Sequence, residues 1–105
     1  MVLIQLLLPA PRRDAASDPR LGETRRELFA RYGGATAYFR APADGDWMSP
    51  DGSPERDTVV MVEVVTQGFD REWWRQYERT LAARFDQDVV HIRAIPVEML
   101  DDQAR

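Results

Sequence analysis

Asp57 to Gln67, DTVVMVEVVTQ, is the longest β-branched run in the chain, and its Val and Met residues mark a central strand. One charged residue, Glu63, interrupts it, on a strand whose composition otherwise asks for burial on both faces. Working outward, Gly68 breaks the strand and Asp70 stands where a helix N-cap acceptor belongs. The segment DREWWRQYERTLAARFDQ then sets Trp73, Trp74, Tyr77, Leu81 and Phe85 at helical spacing. Adjacent helix positions are about 100° apart, so Trp74 suits the core stripe and Trp73 its edge.

On the other side, Pro42 to Pro54, PADGDWMSPDGSP, has the Gly and Pro density of a long loop or a twisted hairpin extension. Trp47 in that stretch reads as a plug at the end of the core or as a lid on the open sheet face. Ala35 to Ala41, ATAYFRA, alternates small and aromatic residues as a strand does. Before it, Asp18 and Pro19 open a helix that runs to Tyr32 and stops at Gly33 and Gly34. Its apolar stripe is Leu21, Leu28 and Tyr32 with Phe29 beside them. Val2 to Leu8 is apolar except at Gln5 and reads as a buried strand ended by Pro9 and Pro11. Val89 to Ile95 is a last strand ended by Pro96, and Val97, Met99 and Leu100 in the polar tail can still pack.

The resulting order, β-α-β-β-α-β, predicts an α+β, ferredoxin-like sandwich. Its four-stranded antiparallel sheet would have strands one and three in the middle and both helices on one face. Side chains alternate along a strand, so parity sorts the residues. Val2, Ile4, Leu6, Leu8, Val60, Val62, Val64, Val90, Ile92 and Ala94 are assigned to the helix-covered core, with Ala37 and Phe39 from strand two. The other parity assigns Leu3, Leu7, Val59, Met61, Val65 and Thr36 to an open face, together with Gln5, Tyr38, Arg40, Glu63, His91 and Arg93.

A chain of 105 residues supports a single domain, 1–105, with one core. The formal net charge of −4 argues against a nucleic-acid partner. All 14 basic residues are Arg, so Schiff-base and P-loop lysine chemistry are excluded. No Cys is present, which excludes disulfides and thiolate chemistry. The apolar start lacks a positive n-region and is too short to span a bilayer, so a cytoplasmic protein without a membrane partner is expected. His91 is the only histidine and no metal-ligand spacing accompanies it, so neither a metal nor another cofactor is expected. Gly33 and Gly34 follow a helix and precede a strand, the reverse of a phosphate loop.

FARYGGATAYFRAPADGDW, the DTVVMVEVVTQ strand and WWRQYERTLAARFDQDVVHIRA together resemble a family of short bacterial α+β proteins. The similarity covers the chain from about Leu28 onward and rests on Gly33, Gly34, Thr36, Gly45, Trp47, Glu63, Trp73, Trp74 and Phe85. It implies no activity, cofactor or catalytic residue. More distantly, the layout is similar to the ferredoxin-like superfamily and its dimeric α+β barrels, which use the open sheet face.

An open face this rich in Leu, Val and Met predicts a covering partner. The first expectation is a homo-oligomer, a dimer through this face or through edge strands, able to enclose a small-molecule ligand held by Gln5, Tyr38, Arg40 and Arg93. The alternative is a cofactor-independent isomerase or oxygenase with Glu63 as general base and His91 as its acid-base partner. Against both stands a purely structural reading, in which Glu63 pairs with Arg93 or Arg40 and His91 faces solvent or an interface. An RNA-binding module of this topology is disfavoured, because Val59, Met61 and Val65 occupy the positions where stacking aromatics belong.

Overall fold

In a computed structural model the backbone is described for residues 1–10, 17–34, 36–48 and 54–100, and side chains for 1–9, 17–34 and 59–100. The elements are β1 (Val2–Ala10), α1 (Pro19–Tyr32), β2 (Thr36–Met48), β3 (Pro54–Thr66), α2 (Arg71–Arg84) and β4 (His91–Pro96). The fold is α+β, with an antiparallel sheet ordered β2-β3-β1-β4 and two helices.

The sheet is built on β1 and β3, which pair from Val2↔Thr66 to Ala10↔Thr58. That register sends Ile4, Leu6, Leu8, Val60, Val62 and Val64 to one side, where all are buried with Leu21 and Leu28 of α1 and Trp74, Tyr77 and Leu81 of α2. Ala82, Phe85 and Val90 complete the cluster among the described residues. Ala94, assigned to the core by parity, is exposed. It sits on β4, which pairs only with β1 among the described residues, so the helices cover it poorly. Ala37 and Phe39 lie outside the described side chains.

Strand ends also depart from expectation. β1 continues through Pro9, which pairs with Val59 beyond the last β1–β4 pair, Leu7↔His91. There β1 has one neighbour fewer, and a residue without an N–H is tolerated. β2 and β3 extend into the Gly- and Pro-rich stretch as a paired hairpin, Ala43↔Val59 to Met48↔Pro54. Between Tyr38 and Ala43 the register shifts: β2 advances from 38 to 43 while β3 moves only from 61 to 59. Such a bulge accepts Pro42 and cancels strict alternation. β4 begins at His91 rather than Val89, which is exposed.

The helix ends follow their capping residues. The Asp18 carboxylate accepts from the Arg20 backbone N–H at 2.9 Å and from the Arg20 guanidinium at 2.7 Å. Gly33 closes α1 at φ 82°, its N–H donating to Phe29 O. Phe29 itself is 63% exposed, off the buried stripe. Asp70 accepts from Trp73 N. At the other end of α2, Gln87 N donates to Ala82 O and Asp86 N to Ala83 O, with Asp86 at φ 58°. This is a Schellman closure with Asp in the left-handed position that Gly usually takes.

Two contacts join the helices. Tyr32 stacks on Trp74 at 5.8 Å and meets Trp73 edge to face at 5.9 Å, while Trp73 stacks on Tyr77 at 4.8 Å. Beside them Arg84, only 11% exposed, donates to both Glu27 oxygens at 2.9 Å and to Thr24 Oγ1 at 2.8 Å. Tyr77 Oη donates to Glu27 Oε1 at 2.8 Å. The guanidinium holds the Glu27 carboxyl below its ordinary range against the opposing effect of burial. Burial, with Glu27 accepting the phenolic proton, pushes Tyr77 up.

A carboxyl depressed on folding stabilises above its unfolded pKa and loses that contribution as pH falls through the folded value. Arg84→Met should therefore cost about 1–3 kcal/mol near neutral pH. The difference from the parent should shrink as pH drops below about 4, the ordinary carboxylate range. Urea melts at neutral and acid pH measure this; a pH-independent difference would mean that packing alone holds the helices.

Candidate functional site

The face of the sheet away from the helices carries two adjacent rows, fixed by register. One runs Arg93, Gln5 and Glu63 across β4, β1 and β3; the next runs His91, Leu7 and Met61, and the β2 backbone at Thr36 and Tyr38 pairs in register with Glu63 and Met61. Gln5 is the hub of the first row. Its Nε2 donates to Glu63 Oε2 at 2.7 Å, and its Oε1 accepts from Arg93 Nε at 2.7 Å. The amide has the right polarity for both neighbours, donating to the anion and accepting from the cation, and both hydrogen bonds are charge-assisted. Glu63 and Arg93 are therefore linked through Gln5, in a row flanked by half-buried Leu3, Leu7 and Met61.

A cleft of ≈ 290 Å³ opens at Glu63, lined by Leu3, Val64 and Val65 on the sheet and by Tyr32, Gly33 and Gly34 at the end of α1; both parities of β3 border it, so it lies beside the first β2–β3 pair, Thr36↔Glu63, rather than on one face of the sheet. The glycine stop of α1 thus forms one wall beside the carboxylate. Chemically, the cleft offers a carboxylate held by an amide, apolar walls and backbone at the helix end. Such a lining fits a small molecule with a hydrogen-bond donor on an apolar body.

Of the residues singled out from sequence, Gln5, Glu63 and Arg93 come together in one hydrogen-bonded row. His91 is exposed on the same side of the sheet, two strands and one row away from Glu63. Ideal sheet spacings put their backbones about 12 Å apart, beyond direct proton exchange but within the span of a bound molecule. Tyr38 lies in register with Met61, whereas Arg40 falls in the bulge, where alternation does not assign a face. The side chains of Tyr38, Arg40 and Trp47 lie outside the described residues.

In the sequence Gln5 is one polar residue among several; its hub position follows only from pairing with two strands at once. Sequence reasoning also missed a groove between α2 and β4 lined by Arg71, Arg75 and Arg79. Their regular spacing of four residues was the available signal. Among the described residues, no group of three His, Asp or Glu side chains could hold a metal ion, and no helix is long and apolar enough to cross a membrane. Neither a family model nor a curated protein matches this chain.

If the polar row depends on the amide polarity of Gln5, Gln5→Glu sets a second carboxylate directly against Glu63. The variant should lose about 1–2 kcal/mol near neutral pH. The deficit should shrink in high salt, which screens the two like charges. Thermal melts at low and high salt test it; equal deficits at both would show that shape, not charge, matters at this position.

Proposed function

We propose that this protein is a small homo-oligomeric binding protein of ferredoxin-like, four-stranded layout. In this reading two copies pack through the open sheet face, and a small ligand is held in the cleft beside Glu63, at the border of that face. The observation that carries the proposal is the Arg93–Gln5–Glu63 row itself: three interacting polar groups set among half-buried Leu3, Leu7, Val59 and Met61 on a face no helix covers. Apolar surface of this kind favours a partner, and a polar row inside it supplies orientation and specificity. The ligand suited to the cleft donates a hydrogen bond to Glu63 and rests its apolar part on Leu3 and Val65.

A second reading rests on the same cleft. Glu63 opens onto it, with Gln5 fixing one carboxylate oxygen. In that position it can serve as general base for a cofactor-independent isomerase or oxygenase of the dimeric α+β barrel type, with His91 reaching the far end of a bound substrate.

Size-exclusion chromatography with light scattering tests the first reading. The parent should elute at twice 12.1 kDa. Met61→Arg or Leu7→Arg, on neighbouring strands in the middle of the face, should give a monomer with unchanged far-UV circular dichroism. A parent that is monomeric at micromolar concentration, or a dimer indifferent to both substitutions, overturns it.

A further inference from the structure

The groove between α2 and β4 has a volume of ≈ 380 Å³. Arg71, Arg75 and Arg79 follow one another along its helical wall, all exposed. Like charges four residues apart work against a helix, so this row costs α2 stability. The nearby carboxylate, Glu78, is engaged elsewhere, its Oε2 accepting from the Val90 backbone N–H at 2.8 Å. That bond ties the start of the strand to the helix and fixes the two walls relative to each other. Among the described residues, no ion pair to an acidic side chain is found for the three arginines. The groove lining thus carries three arginines against one carboxylate on a chain whose formal net charge is −4.

The opposite wall is β4, the edge strand of the sheet among the described residues. Val89, Val90, His91 and Ile92 all border the groove, so both parities contribute and it opens at the strand edge rather than on one face. β4 is the last strand in the sheet order and is exposed along nearly its whole length. A strand edge beside a helix can accept another strand by main-chain pairing.

We infer that this groove binds an extended acidic peptide segment that adds to the β4 edge and sets carboxylates at alternate positions against Arg71, Arg75 and Arg79. The spacings match. Residues four apart on a helix rise about 6 Å. Alternate side chains on a strand are about 6.7 Å apart. The arginine row spans about 12 Å of helix, which is too long for one phosphate or carboxylate. A second copy docked edge to edge would bring its own arginine row against this one, so self-association through β4 is opposed by charge.

Calorimetric titration of the full chain with the blocked peptide Glu-Val-Glu-Val-Glu-Val is the test. Its controls are Glu-Glu-Glu-Val-Val-Val, an alternating peptide N-methylated to prevent strand pairing, and inorganic phosphate. The alternating peptide should bind at least about tenfold more tightly than the block peptide, with affinity falling steeply in salt. The Arg75→Gln/Arg79→Gln double variant should lose about tenfold or more, and N-methylation should abolish binding. Arg26→Gln, the same charge change on the exposed surface of α1 and outside the groove lining, should leave the affinity unchanged, which separates this site from the general charge of the chain. No binding, equal affinity for the two peptides, indifference to the arginine substitutions, or phosphate binding as tightly as peptide would each overturn the inference.

Discussion

The register of β1 against β3 is the constraint on which the rest of the structure depends. Both strands are apolar on both faces over most of their length, so hydrophobic burial alone separates poorly between this pairing and one slipped by a residue. A slip would exchange every side chain between the core and the open face. Gln5 breaks the tie. In the observed register it meets Glu63 on one side and Arg93 on the other and satisfies both. Slipped by one, it would enter the core without partners, and Glu63 would lose the Gln5 amide. An unpartnered buried amide costs about 1–3 kcal/mol, enough to decide between pairings of similar apolar content. A polar row can thus specify register, as a single buried polar residue does in a coiled coil.

The helix side is fixed by different means. The Tyr32, Trp73, Trp74 and Tyr77 rings, and the Arg84 clamp on Glu27 and Thr24, bind α1 to α2 over one face only. Both helices cover the even-numbered side of β1 and β3. The odd-numbered side keeps Leu3, Leu7, Val59 and Met61 half-buried and outside the helix-packed core, and the polar row lies among them.

Local signals in the sequence carried well into the structure where the physics is local. Asp18, Pro19 and Gly33 bound α1 where their caps predict, and Asp70 opens α2, because capping involves residues only a few positions apart. The core parity of β1 and β3 was legible for the same reason: alternation is a property of one strand. What could not be read was set by distant partners. The hairpin beyond Ala43 is paired despite a composition that suggests loop, and the bulge after Tyr38 removes the parity that assigned Arg40 to the open face. Thr24 is buried because Arg84, 60 residues away, reaches its hydroxyl. Ala94 is exposed because β4 lies at the sheet edge.

β4 links the two polar surfaces. Through Arg93 it completes the row on the open face, and through His91 and Ile92 it borders the arginine groove. It is also lightly held: among the described residues its ladder is to β1 alone, with the Val90 N–H bond to Glu78 at one end and the Val97 N–H bond to Met1 O at the other. A short edge strand with few buried side chains belongs to the low-stability end of a fold. The backbone that positions Arg93 against Gln5 is thus the same strand whose outer side borders the arginines, so the pairing of β4 with β1 places both surfaces at once.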